Sequence, residues 1–371
     1  MRVTFVLPDA NLGGGTRMIA QHADVLQRRG HCVTILSTPP PRISQRRKIG
    51  SLLTGRGWPV PKPGPSHLDG LGLDHRVRPR RAPLSDHEAP DADVVVATWW
   101  ETAEWVARLS PRKGVKAYFI QHYEAHLGMP EDRVAATWRL PMQKIVCARW
   151  LADLARERFD DPDAMYVRNG LNMELFDAPP RGRNARPTVG MVYSPSPAKG
   201  CESGFAAVEL ARREVPDLRL HVFGSSEPTL TFPPDSVWTS RPPQHQIREI
   251  YAECDVWLCS SRREGYHMPP LEAMACRCPA VATRVGGPGD VIDEGVNGFL
   301  VDVDDVGAMA RRLVDVIRMS EADWKRMSDS AYSTARGFTS EDAGVEFEQA
   351  LAQALERVRG GSLLGSAGGM G

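Results

Sequence analysis

A short apolar run, a polar loop, an amphipathic stretch and a second apolar run follow one another twice in this chain. That order restricts the fold more than the composition does. In the first copy, residues 3–7 are the run and Gly13, Gly14 and Gly15 form the loop. Ile19, Ala23 and Leu26 share a helical face, Gly30 stops the helix, and residues 33–36 are the second run. The second copy uses residues 188–193, the loop 194–200, then Phe205, Val208 and Ala211 on one face, and residues 218–223. Each copy closes within about 35 residues, the span of a strand–helix–strand unit with parallel strands. Further runs at 93–98, 118–121, 144–147, 255–259 and 279–283 extend both halves, and 148–159 has helical spacing. The expected fold class is α/β: two Rossmann-like domains with parallel sheets facing across a cleft, each with a crevice at the carboxyl ends of its strands.

The chain has 371 residues, room for two domains. The Pro/Gly/Arg-rich stretch 177–184 sets the expected boundary, with a first domain over 1–180 and a second over 181–358. Helices run from about Val306 to Val358, and the glycine-rich tail 359–371 is expected to be disordered. Segment 39–90 has little periodicity and reads as a basic insertion, mobile or loosely ordered.

Hydrophobic residues make up 42% and charged residues 25% of the chain, which excludes wholesale disorder and coiled coil. No run of apolar residues is long enough to cross a bilayer. The apolar start over residues 3–7 is too short for a secretion signal, so a cytoplasmic location is expected. Seven cysteines without Cys-x-x-Cys or Cys/His ligand spacing read as reduced, mostly buried thiols. Cys276 and Cys278 read as helix packing rather than a metal pair. Asp91-Ala92-Asp93 reads as the start of a strand, not as a metal site.

The net charge of zero conceals a basic segment. Residues 39–81 hold ten Arg or Lys and two Asp. Solvated loop is the plain reading. The functional reading is contact with an anionic partner, a lipid surface at the inner membrane face or a lipid-diphosphate acceptor. Nucleic acid is not expected, because aromatics are not interleaved with these charges.

The most specific stretch is Glu264-Gly265-Tyr266-His267-Met268-Pro269-Pro270-Leu271-Glu272-Ala273-Met274-Ala275. It follows a strand, Gly265 permits tight backbone, and the two prolines suit a first helical turn. Main-chain N–H groups at a strand-to-helix loop can meet an anion. One carboxylate on the loop and one in the helix would flank that anion and accept hydroxyls, an arrangement that suits a sugar nucleotide. This stretch resembles the signature of the family 4 glycosyltransferases of the GT-B fold. The continuation Cys278-Pro279-Ala280-Val281-Ala282-Thr283, Val285-Gly286-Gly287 and Asn297-Gly298-Phe299-Leu300-Val301 resembles it too.

The resemblance implies a retaining hexosyl or deoxyhexosyl transfer from a nucleoside-diphosphate sugar to a hydroxyl acceptor, with no metal or other cofactor. It implies that Glu272 holds the ribose, that Glu264 holds donor hydroxyls, and that the main chain of Gly265, Tyr266, His267 and Met268 meets the diphosphate. His267 and Arg277 stand where the family commonly has Gly. Lys199, in the loop Pro197-Ala198-Lys199-Gly200, resembles the family lysine on the diphosphate. The family often has an arginine about six residues earlier, where Tyr193 and Ser194 stand here, so either one phosphate-binding cation is missing or Arg262 or Arg263 substitutes for it. In the first half, Gly13, Gly14, Gly15 and Arg17 resemble the family's glycine-rich loop beside the acceptor. His122 resembles the histidine near the reaction centre, and Trp99 is a candidate acceptor platform. Arg168-Asn169-Gly170-Leu171-Asn172 resembles the family's interdomain turn. Segments 98–101 and 118–124 bear a looser likeness to bacterial rhamnosyltransferases.

Two other classes are weighed. A nicotinamide-dependent oxidoreductase is disfavoured because Met18 stands where a third glycine is needed and Ser37-Thr38 offers no acid to the ribose. A degenerate transferase that only binds glycans or a partner is disfavoured by retention of Glu264, Glu272 and Lys199.

Overall fold

The computed structural model describes residues 1–39 and 64–360. It divides into two compact units. The first comprises residues 1–146, 151–167 and Ala343 onward; the second comprises 147–150 and 168–342.

The first unit is a seven-stranded sheet in the order β3-β2-β1-β4-β5-β6-β7. The strands are β1 (Arg2–Leu7), β2 (Cys32–Ser37), β3 (Asp74–Val77), β4 (Val94–Ala97), β5 (Val115–Ile120), β6 (Gln143–Val146) and β7 (Met165–Tyr166). Every pairing is parallel. β1, β4 and β5 are almost wholly buried, as expected of strands covered on both faces. Helix α1 (Gly14–Arg28) returns the chain from β1 to β2 and buries Ile19, Ala23 and Leu26, the face read from the sequence. Helices α2 (Trp100–Ala107), α3 (Glu131–Trp138) and α4 (Arg149–Phe159) follow β4, β5 and β6.

The second unit is a six-stranded parallel sheet, β10-β9-β8-β11-β12-β13. It is built from β8 (Thr188–Val192), β9 (Arg219–Gly224), β10 (Ser236–Ser240), β11 (Val256–Cys259), β12 (Ala280–Thr283) and β13 (Gly298–Val301). After the short α5 (Met173–Phe176), its helices are α6 (Cys201–Arg212), α7 (Gln244–Ala252), α8 (Pro269–Ala275), α9 (Pro288–Val291), α10 (Val306–Arg318) and α11 (Glu321–Arg336). In both sheets the strand order reverses beside the first strand, between β1 and β4 and between β8 and β11. Ligands of open α/β sheets bind at that reversal, at the carboxyl ends of the strands.

The last helix, α12 (Ser340–Arg359), differs from expectation. The sequence reading ran the second domain to 358, whereas from Ala343 this helix packs in the first unit. Phe347 is fully buried there, with ring centroids 5.8 Å from Phe5 and 4.5 Å from His22. Gly344 lies so close to Val25 that a Cβ would stand 2.3 Å from its Cγ1. The expected boundary at 180/181 also differs, because the long segment of the second unit begins earlier, at Arg168. The Pro/Gly/Arg stretch is tied into it: Asn184 donates to Asp255, Arg183 to the carbonyl of Ile317 and Arg181 to the carbonyl of Cys254. Residues 40–63 and 361–371 lie outside the described residues. They hold Arg42, Arg46, Arg47, Lys48, Arg56 and Lys62 of the basic segment and most of the expected tail. The described part of 39–90 is more ordered than expected, since β3 pairs with β2. Among the described residues no helix is long and apolar enough to cross a membrane.

Candidate active site

In the second unit the loops after β8 and β11 meet at the strand-order reversal. The first carries a single tight turn, Pro197–Lys199, closed by Gly200 at φ 57°. A Cβ on Gly200 would stand 2.1 Å from the carbonyl oxygen of Ser260, so only glycine allows this approach. Arg262 and Arg263 donate their main-chain N–H groups to the carbonyl of Ala198, at 2.7 and 3.2 Å. These contacts set Lys199 beside the second loop. Its Nζ donates to Glu264 Oε1 at 2.7 Å. Ser261 Oγ donates to the same oxygen at 2.6 Å. His267 Nδ1 is 2.8 Å from it, an ion-pair distance without hydrogen-bond direction. All three contacts fall on Oε1, which leaves Oε2 to accept from a ligand. Burial pushes the Glu264 carboxyl up, but His267 and Lys199 outweigh it and hold it well below the usual carboxylate range. Glu264 is therefore an acceptor throughout the working pH range.

Glu272 lies in the first turn of α8 and is buried. Its Oε2 accepts from the buried hydroxyl of Tyr251 on α7 at 2.8 Å. Between the two glutamates, the main-chain N–H groups of Gly265, His267 and Met268 make no hydrogen bond with any described residue. Pro269 and Pro270 have no N–H, so the donors of this stretch come from the loop more than from the seven-residue helix. Gly286 and Gly287 support the loop from behind, with Gly287 N–H donating to Tyr266 O at 2.5 Å.

The structure changes the expectation for the second cation. Arg262 turns to Asp304, with Nε 2.9 Å from both carboxylate oxygens, and its Nη1 donates to Pro197 O at 2.9 Å. It braces the Lys199 turn. Arg263 is exposed on the same loop. Tyr193 is buried and its hydroxyl contacts Thr229 at 2.9 Å, so it faces the core. Arg277 at φ 60° is a strap: Nε donates to Ala178 O at 3.1 Å, and its guanidinium stacks on Tyr332 at 3.8 Å.

In the first unit, Gly13 caps α1, and Gly14 and Gly15 form its first turn, with Arg17 half-buried behind them. Gln121 Nε2 donates to Gly15 O at 3.2 Å, which sets the glycine-rich loop next to the segment that carries His122. His122 Nδ1 is 2.9 Å from Tyr123 O; a carbonyl only accepts, so Nδ1 donates to it. Trp99 is half-exposed at the start of α2. Two residues beyond His122, Glu124 is almost fully buried and accepts from Tyr118 at 2.9 Å. Burial pushes its carboxyl up to about 7.

Ser261, Tyr251 and Glu124 were not singled out as site residues from the sequence. A buried tyrosine on a neighbouring helix has no local signal, whereas Ser261 lies three residues before Glu264 within the strongest motif. Asp91 and Asp93 have structural partners, Lys113 at 2.8 Å and the Arg2 main chain at 2.7 Å. All seven cysteines are free thiols, and Cys276 and Cys278 are buried. Among the described residues, no cluster of three His, Cys, Asp or Glu is arranged to hold a metal. Of the described arginines in the basic segment, Arg76, Arg78 and Arg81 pair with Asp74, Glu88 and Glu101.

Residues 186–319 match a family described as glycosyl transferases group 1. The N-acetyl-alpha-D-glucosaminyl L-malate synthase of Bacillus anthracis is 29% identical over 120 residues, which are 32% of this chain and 32% of that protein. The GDP-mannose-dependent alpha-mannosyltransferase of Corynebacterium glutamicum is 33% identical over 106 residues, 27% of this chain and 26% of that protein. The chain thus spans about a third or less of the curated relatives it matches. Among solved structures, Anabaena Alr3699/HepE in complex with UDP and glucose is similar with a TM-score of 0.71 and 14% identity, covering 95% of this chain and all of that one. The fold is the GT-B architecture of two parallel-sheet units. These matches support the reading of the chain as GT-B, family 4-type, strongest over the second unit, where the signature residues lie.

Proposed function

We propose that the protein is a glycosyltransferase that moves a hexosyl or deoxyhexosyl group from a nucleoside-diphosphate sugar to a hydroxyl acceptor, with retention at the anomeric carbon and without a metal. The observation that carries this reading is the pairing of Lys199 with Glu264 beside the unbonded N–H groups of Gly265, His267 and Met268. Those N–H groups and the Lys199 ammonium would stabilise the negative charge that builds on the leaving diphosphate, supplying the charge neutralisation often left to a metal. Glu264 Oε2 would accept donor-sugar hydroxyls, and Glu272, fixed by Tyr251, would accept the ribose diol. The departing phosphate oxygen would take the acceptor proton on the same face, so no enzymic nucleophile is needed. His122 and the Gly13–Gly15 loop belong to the acceptor side of this reading.

The test is transfer by Lys199→Ala and Glu272→Ala. Each is expected to lose at least a hundredfold in kcat/KM while unfolding at a temperature close to that of the unaltered protein. Undiminished transfer in either variant would contradict the assignment. Slow hydrolysis of a sugar nucleotide without acceptor separates this reading from a glycan-binding protein without catalysis.

A further inference from the structure

His267 is a histidine in a conformation that favours glycine, at φ 77°. A non-glycine residue held there is strained, and strain of this kind gathers at functional sites. Its side chain is only 6% exposed. Nδ1 faces Glu264 Oε1 at 2.8 Å. The two ring nitrogens diverge, so Nε2 points away from that carboxylate, and it is buried with no hydrogen-bond partner. A buried imidazole nitrogen without a partner is costly unless a ligand satisfies it.

The charged groups on the elements around this loop are largely committed. Glu264 and Lys199 pair with each other, Arg262 is bound to Asp304, Glu272 accepts from Tyr251 and Arg263 is exposed. With a neutral His267 the Glu264–Lys199 pair carries no net charge to set against a diphosphate. A protonated His267 adds one positive charge beside it.

We infer that His267 is the second cation of the diphosphate site: its imidazolium pairs with Glu264 on the Nδ1 side, at ion-pair distance, and donates Nε2–H to an oxygen of the nucleoside diphosphate. Binding would then draw a proton from solvent onto the ring whenever the free protein holds the neutral form. This rests on the proposed function. It gives His267 a role that a filler of the same volume would not have, namely proton uptake coupled to nucleotide binding.

The probe is whichever of UDP, dTDP, GDP and ADP raises the melting temperature most. Its dissociation constant is measured between pH 6 and pH 9 by titration calorimetry in buffers of differing ionisation enthalpy. Comparison is with His267→Gly, which relieves the backbone strain, and His267→Asn, which tolerates it and keeps a neutral donor. The unaltered protein should bind at least fivefold more weakly at pH 9 than at pH 6 and take up protons on binding. Both variants should bind more weakly at pH 6, lose most of the pH dependence and take up none. Equal pH dependence and proton uptake in the variants would overturn the inference while leaving the diphosphate site intact. No binding by any of the four nucleotides, or unchanged binding in Lys199→Ala, would instead overturn the underlying function.

Discussion

At Glu264, one carboxylate oxygen takes contacts from Lys199, Ser261 and His267. The residue types were legible in the sequence, because Glu264, Gly265 and Glu272 stand in a dense motif. The partners were not, since Lys199 is 65 positions away and reaches Glu264 only because Gly200 lets its turn approach Ser260. Tyr251 is a similar case. Its buried hydroxyl supplies the described hydrogen bond to Glu272 Oε2. Tyr251→Phe should weaken nucleotide binding several-fold and cost roughly 1.5–3 kcal/mol of stability, the worth of a hydrogen bond to a charged group. Parallel titration calorimetry and urea unfolding would measure both; unchanged nucleotide affinity would show that Tyr251 does not position Glu272.

At the scale of elements, the strands read from the sequence are the central ones, and those missed are β3, β7, β10 and β13, which lie at or near the sheet edges. For β3 and β10 the reason is physical. Central parallel strands are buried on both faces and read as apolar runs, whereas β3 carries Asp74, His75 and Arg76 and β10 is half-exposed. The short 3-10 turn Glu124–Leu127 after β5 carries a consequence of its own. Glu124 has its carboxyl raised from 4.5 to about 7 by burial. The folded protein therefore holds a proton that the unfolded chain releases between those values. Stability from this group is complete below pH 4.5 and lost as pH rises through about 7. Glu124→Gln keeps an acceptor for Tyr118 and removes the ionisation. It should stabilise the protein at pH 8 by roughly 2–3 kcal/mol and leave it little changed at pH 4.5. Melting temperatures at the two pH values decide; an equal effect at both would remove the titration from the explanation.

At the scale of the whole molecule, two open parallel sheets were legible because the strand–loop–helix–strand order repeats. The return of α12 to the first unit was not, because amphipathic spacing in a terminal helix does not say which core receives it. Phe347 decides it by stacking on Phe5 and His22. Phe347→Ala should cost about 3–5 kcal/mol, as for other buried aromatics; a loss below about 1 kcal/mol in urea unfolding would mean that this helix contributes little to the first core. The central claim is that the loops after β8 and β11 grip a nucleoside diphosphate, and titration calorimetry of UDP, dTDP, GDP and ADP into the protein and its Lys199→Ala and Glu272→Ala variants tests it most directly. One of the four should bind at a single site, and each variant should bind it at least tenfold more weakly. Binding by none, or equal binding by both variants, would contradict it.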